Sequence, residues 1–353
     1  MKPHYDLAIV GGGIIGAWSL YLAQQRNPDW SIVLIDRYRV ASGATAHSAG
    51  VLLATGHSER ERRLAATSAR LYKEITKSQR LVTTCSDVYW VTSPEHKACL
   101  EAATVGFSVD PTPIVPSDLQ DRLAVPLWVD DDEIALRGGQ AISHDPGLIV
   151  RTLISYSLHS PHARCIEGVA ITAAQKAGGT WKLQLDNGHQ LEAIRVISCL
   201  GPWLVDGPFG TAAAQYKVRT KKVVAMHVDR IPPRQAAALF FPQSDAYLMP
   251  LPTRNQWLFS FRAEAWDRQP ERSQLDISAE DASLAKTILD RYQPGLAASL
   301  LGGRAFCDAY TPTGEPLVAH DQAQGWIVAG AGSGAGFRLA PGIADEAVRI
   351  VAG

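Results

Sequence analysis

An excess of charge of either sign is missing: the 353 residues carry 34 Lys and Arg against 35 Asp and Glu, a net charge of −1. Without a basic surplus the chain has no electrostatic footprint for nucleic acid or for an acidic membrane surface. The same balance gives little repulsion between copies. It leaves open a homo-oligomer, or a place as one subunit of a larger assembly. Cysteine is scarce and unpaired. Cys85, Cys99, Cys165, Cys199 and Cys307 are odd in number and form no CxxC pair, which excludes a disulfide framework and a zinc site. They read as reduced thiols in a cytoplasmic protein, and no metal is expected. Long apolar runs are missing too. Residues 7–23 form a 17-residue stretch without a charge. Four glycines interrupt it and it is short for a membrane span, so neither a span nor a leader is expected. Repeats and low-complexity tracts are absent. What remains is 46% hydrophobic and 20% charged residues, the composition of a folded chain and not of a disordered one. At ~150 residues per domain the length suggests two domains.

Residues 7–10 are a short apolar run ending in glycines, the pattern of a buried strand. Helical spacing follows over 14–25, and 31–35 give a second buried strand closed by Asp36. The three form a βαβ unit of about thirty residues. Residues 60–80 and 146–158 read as helices and 110–133 as surface loop. The stretches 167–173 and 181–185 read as paired strands, with a turn at 186–188 after the second. Residues 195–200 are another buried strand. From Tyr216 the texture changes. Residues 218–228, 246–249 and 256–262 alternate as in an antiparallel sheet with one wet face, and 281–291 form an amphipathic helix. The chain ends on an apolar strand at 325–330, a glycine-rich turn and a helix over 336–351. Strand–glycine–helix units at both ends imply one α/β domain built from separated segments, with a β-rich domain inserted.

Gly11-x-Gly13-x-x-Gly16 follows the first strand and opens the first helix, and Asp36 sits 20 residues after Gly16 at the end of the next strand. That context makes the glycines a dinucleotide fingerprint. Gly11 makes the tight turn, Gly13 lets the backbone approach a pyrophosphate, and Gly16 lets helix and strand pack. The helix N-terminus faces the phosphates and Asp36 accepts from ribose hydroxyls. The fingerprint alone does not separate NAD from FAD.

Five further motifs occur in a fixed order. Ser42-Gly43-Ala44-Thr45-Ala46-His47-Ser48-Ala49-Gly50-Val51-Leu52 follows the second strand, then come Cys199-Leu200-Gly201-Pro202-Trp203, Tyr247-Leu248-Met249-Pro250, Thr311-Pro312-Thr313-Gly314-Glu315-Pro316-Leu317, and Gly332-Ser333-Gly334-Ala335-Gly336-Phe337-Arg338-Leu339-Ala340-Pro341. Together they resemble the FAD-dependent D-amino-acid oxidase superfamily, which includes glycine oxidase, monomeric sarcosine oxidase and dimethylglycine dehydrogenase. The resemblance implies a Rossmann-like FAD-binding domain from 1–84, 140–214 and 304–353. It implies an antiparallel-sheet (α+β) substrate domain from 85–139 and 215–303. It also implies a reaction: hydride leaves the carbon bearing a nitrogen for flavin N5, an imine forms, and oxygen or another electron acceptor reoxidises the flavin. The cofactor carries the hard chemistry while the protein orients and selects. A flavoenzyme of the same fold oxidising a 2-hydroxy acid stays open, as does a flavin-binding subunit without catalysis of its own.

By the same resemblance, FAD lies against Gly11, Gly13, Ile14, Ile15 and Gly16, then Asp36 and Arg37. It follows the loop through Ser42, Ala44, Thr45, His47, Ala49, Gly50 and Leu52, touches Val169, Gly201 and Trp203, and ends at Gly332, Gly334, Ala335, Gly336, Phe337 and Arg338. His47 matches a motif in which the dimethylglycine dehydrogenase branch carries its flavin covalently; a noncovalent contact is the other reading. Arg338 stands where the sarcosine oxidase branch has a carboxylate-binding lysine, and a guanidinium suits a carboxylate. Tyr247 is placed to roof the substrate cavity. Asp308 departs from the glycine oxidase pattern, which has a carboxylate-binding arginine there; an acid would repel a carboxylate and attract an ammonium. Arg304 is out of register with that arginine. Lys221 and Lys222 read as a solvated face, Cys307 as a buried thiol, and His57 as a surface histidine. Trp128, Trp257 and Trp266 are candidates to line an apolar pocket.

Overall fold

The first βαβ unit forms where the apolar runs put it, in a computed structural model that describes residues 4–270, 275–321 and 325–353. Strand β1 (His4–Val10), helix α1 (Ile14–Arg26) and strand β2 (Ile32–Asp36) lead. Helix α2 (Ala44–His47), strand β3 (Val51–Leu52), helix α3 (Glu59–Ser78), strand β4 (Thr84–Thr92), helix α4 (Lys97–Ala103), strand β5 (Ile134–Ser143) and helix α5 (Pro146–Ser157) follow. Strands β6 (Ala163–Glu167), β7 (Ile171–Ala177), β8 (Thr180–Leu185) and β9 (Gln190–Ser198) precede helix α6 (Gly210–Gln215). The β-rich stretch holds β10 (Arg219–Val228), β11 (Ala238–Phe241), β12 (Ala246–Leu251), β13 (Gln256–Phe261), helix α7 (Ala279–Tyr292) and β14 (Leu300–Tyr310). Strands β15 (Leu317–Asp321) and β16 (Trp326–Gly330) and helix α8 (Gly336–Ala352) close the chain. Local chemistry sets the helix starts. Ser58 caps α3, Asp145 with Pro146 starts α5, and Ser278 with Asp281 forms a capping box on α7.

The first sheet runs β15-β16-β9-β1-β2-β6, with the β7–β8 hairpin added beside β9. From β16 to β6 its strands are parallel, and β15 is antiparallel at the edge. Helices α1, α3, α5 and α8 cover one face around Trp18, Tyr72 and Phe337. Trp181, Phe209 and Trp326 fill the other. Because β1, β9 and β16 are parallel neighbours, the glycine turns that follow them meet at one edge, the carboxyl edge where α/β sheets bind ligands. The second sheet runs β14-β10-β13-β12-β11-β4-β5-β3. It is antiparallel except between β11 and β4.

Three expectations need correction. The strand expected over 167–173 is two strands. Gly168 turns the chain at φ 74°, so β6 extends the parallel sheet beside β2 while β7 pairs with β8. The strands expected to alternate between core and water do not. β10, β12 and β13 are mostly buried on both sides, because α7 packs on one face and a cavity and the other half of the molecule cover the other. Finally, residues 140 and 304 fall inside β5 and β14, which pair throughout with second-sheet strands. Those positions are therefore not chain breaks between sheets.

Candidate active site

A cavity of about 1370 Å³ runs from the carboxyl edge of the first sheet to the inner face of the second. At the first-sheet end, a Cβ on Gly16 would collide with the carbonyl oxygen of Gly11, whose own φ is 108°. This turn therefore requires both glycines. Thr45 reaches back from α2, and its Oγ1 accepts the Ile14 N–H at 3.0 Å. Asp36 accepts from Gly12 N at 2.6 Å and Tyr38 N at 2.7 Å. Burial raises its carboxyl above the ordinary range despite those two bonds. The helix start thus arrives with its loop already pinned.

Of the expected cofactor contacts, most line this cavity, from Gly11 and Gly13 through the α2 loop to Gly332–Arg338. Gly16, Gly50 and Leu52 do not. Gly16 is consumed by helix–strand packing, Gly50 lies at φ 68° against the His144 carbonyl, and Leu52 is in the core. They support the wall from behind. A Cβ on Gly336 would meet no atom within 4 Å, and one on Gly13 only Thr45 Oγ1 at 3.2 Å. The bare backbone at both points therefore faces open cavity, as a group lying against main chain requires. His47 stacks on Phe306, centroids 5.7 Å apart and 17° between planes.

Toward the second sheet, Arg338 projects from the first turn of α8 and is half-buried. Its Nη1 donates to the Thr55 hydroxyl and carbonyl. Burial lowers its pKa, opposed by the charge of Glu61. Tyr247 lines the same space and stacks on Phe240 at 5.5 Å, which in turn packs on Trp90 at 5.0 Å. Burial raises the Tyr247 phenol. Asp308 accepts from Ala309 N at 2.8 Å and from Gly334 N at 3.0 Å, tying the second sheet to the glycine turn before α8. Burial raises its carboxyl as well.

Strand alternation sorts the rest. Arg304, Phe306, Asp308 and Tyr310 share one face of β14, so Cys307 points away and its thiol donates to the Arg268 carbonyl at 3.3 Å. Burial pushes that thiol up to about 11. Arg304 donates to the Ser48 carbonyl at 3.4 Å and so braces the loop after α2. Lys221 and Lys222 are not a solvated face: they are 5% and 8% exposed. Lys221 lines the cavity, and Lys222 pairs with Asp281 of α7 on the opposite side. The tryptophan expectation fails for each residue. Trp128 is 63% exposed, Trp257 is buried in the far core, and Trp266 flanks Lys221 without lining the cavity. Trp90 and Phe240 are the aromatic wall instead. No motif flagged them, since strand pairing of β4 with β11 brings them together. His57 is exposed at the cavity's rim.

A sequence model of the DAO family, described as FAD dependent oxidoreductase, matches residues 6–350. The chain belongs to that family. As a DAO-family member it is an FAD-dependent enzyme, and the bare backbone at Gly13 and Gly336 suits that cofactor. Its fold is that of L-proline dehydrogenase from P. horikoshii, at TM-score 0.83 and 15% identity over 99% of this chain and 94% of that one. Glycine oxidase from Geobacillus kaustophilus is similar at TM-score 0.75 and 18% identity, covering 99% and 95%. L-alpha-glycerophosphate oxidase from Mycoplasma pneumoniae, solved with FAD bound, is similar at 0.76 and 16%, also covering 99% and 95%. No curated protein sequence matches. Among the described residues of this DAO-family chain no helix is long and apolar enough to cross a membrane, and no acidic, His or Cys cluster could hold a metal ion.

Proposed function

We propose that this oxidoreductase acts on the C–N bond of an amino acid or a related amine. The observation that carries the reading is the one cavity lined by the Gly11–Gly13 turn, the half-buried Arg338 guanidinium and Tyr247. When bound, FAD supplies the hydride acceptor for oxidation of the C–N bond to an imine. The Gly11–Gly16 turn, the α2 loop, Gly201 and the Gly332–Gly336 turn would hold it. The first sheet and its helices would thus form the cofactor half, and the second sheet the substrate half. Arg338, with Thr55 fixing one guanidinium nitrogen, would bind the substrate carboxylate through its remaining donors. Tyr247, backed by Phe240 and Trp90, would close over the substrate and exclude water. Asp308, whose oxygens accept the Ala309 and Gly334 N–H groups, would hold the glycine turn. His47, stacked on Phe306, would contact the flavin without a covalent bond. Five unbridged thiols suit a reducing compartment such as the cytoplasm.

The test is anaerobic. Purified yellow protein is mixed with panels of amino acids, secondary amines and 2-hydroxy acids, and loss of flavin absorbance is followed. Bleaching by amino acids or amines, with ammonia or a primary amine released, supports the reading. Bleaching by 2-hydroxy acids alone, or by nothing in the panels, refutes it.

A further inference from the structure

Lys221 is 5% exposed and lines the cavity, yet its ammonium makes no hydrogen bond or ion pair among the described residues. The adjacent lysine shows what the fold does with a buried ammonium it keeps for stability: Lys222, on the opposite face of β10, is paired with Asp281. Near Lys221 lie the rings of Trp266 and Tyr310, each 5.2 Å from Nζ. Aromatic faces soften the cost of burying a cation without replacing an anion.

The charged groups around it do not fill that gap. Its partner across the strand pair is Asp308, which accepts from the Ala309 and Gly334 N–H groups and forms no ion pair with the ammonium. Glu264 is paired with Arg262 at 2.5 Å. Burial and Arg262 pull the Lys221 pKa down and outweigh the upward pull of Glu264 and Asp245, so the net shift is downward. The phosphate-binding turn belongs to the other sheet. A desolvated, unpaired cation therefore faces the cavity from the second sheet, while Arg338 faces it from α8.

Resting on the amine-oxidising reading, we propose that Lys221 is a specificity residue for a second anionic group, so that the preferred substrate is an amino acid with a carboxylate-bearing side chain. Arg338 takes the main carboxylate and Lys221 the distal one. A neutral side chain leaves the ammonium unpaired.

The experiment uses unreactive ligands, so it does not depend on turnover. The FAD-loaded enzyme is titrated with dicarboxylates of four to six carbons and with monocarboxylates of the same lengths, reading the flavin absorbance change. The best dicarboxylate is expected to bind at least tenfold tighter than its monocarboxylate counterpart. Lys221→Met should remove that preference while leaving monocarboxylate binding and flavin content unchanged. Lys222→Met should keep the preference although its melting temperature falls. The proposal is overturned if dicarboxylates bind no tighter, if the preference survives Lys221→Met, or if that variant weakens both ligand classes alike or loses flavin. Failure of the amine-oxidising reading would appear separately, as no bleaching by any amine.

Discussion

Gly13→Val separates what the chain needs from what the cofactor needs. Gly13 has φ −76°, which valine adopts freely, so the backbone carries no strain. A Cβ there meets only Thr45 Oγ1, at 3.2 Å. The two γ-methyls cost more, because they press on the Thr45 hydroxyl that caps Ile14. Losing that cap outright would cost about 1 kcal/mol, so the folded apoprotein should survive. The cofactor side is different, since Gly13 lines the cavity at the start of α1. An isopropyl group keeps a phosphate away from the helix-start N–H groups. Each charge-assisted hydrogen bond lost is worth roughly 1.5–3 kcal/mol. Two lost bonds amount to roughly 3–6 kcal/mol, or about 10²- to 10⁴-fold in Kd. The assay has two readouts: FAD affinity by flavin fluorescence quenching, and the melting temperature of apoprotein. The expected result is colourless protein with a melting temperature near that of the wild-type apoprotein. Gly13→Ala, with only the Cβ, should lie between. Full flavin content with unchanged Kd in a folded Gly13→Val protein would refute the placement of the pyrophosphate.

Arg338→Met should keep its flavin and lose about 10- to 150-fold in kcat/KM for carboxylate substrates, the equivalent of one charge-assisted hydrogen bond; undiminished kcat/KM would remove Arg338 from substrate binding. Asp308→Ala leaves the Gly334 N–H without its acceptor and should cost roughly 1–3 kcal/mol, seen as a lower apoprotein melting temperature and weaker FAD binding. Asp281→Asn strands the buried Lys222 ammonium and should cost ~3–5 kcal/mol at neutral pH, measured by urea unfolding. In the wild type, burial raises the Asp281 carboxyl, but bonds from Lys222 and Ser278 outweigh it and the net pKa is depressed. The pair's contribution is therefore full above the unfolded value of ~3.9 and is lost as pH falls through the folded one, and Asp281→Asn should flatten that acid limb. Acid-precipitated wild-type protein should release its flavin into the supernatant; flavin fluorescence kept in the pellet would show a covalent tether, with His47 the first residue to substitute.

The chain order of residues was enough to read the first strand–glycine–helix turn. A strand, three spaced glycines, a helix and a distal acid are local requirements, and each is met within about thirty residues of β1. The same holds for the C-terminal glycine turn and for the α/β class, since apolar runs and helical spacing are local patterns. The buried Cys307 thiol was legible too, and in the fold it lies on the face of β14 opposite the cavity-lining Phe306 and Asp308. The rest depended on partners remote in sequence. Asp308 is held by Gly334, 26 residues on, a partner that no local pattern showed. The two adjacent lysines looked solvated because charge is usually outside; the fold instead covered both faces of β10, giving one an aspartate 59 residues away and the other the cavity. Trp90 and Phe240 became a wall only through the parallel β4–β11 pairing. Periodicity and turn chemistry act over a few residues and are written in the sequence, whereas burial and charge compensation belong to surfaces that exist only once the two sheets close over the cavity.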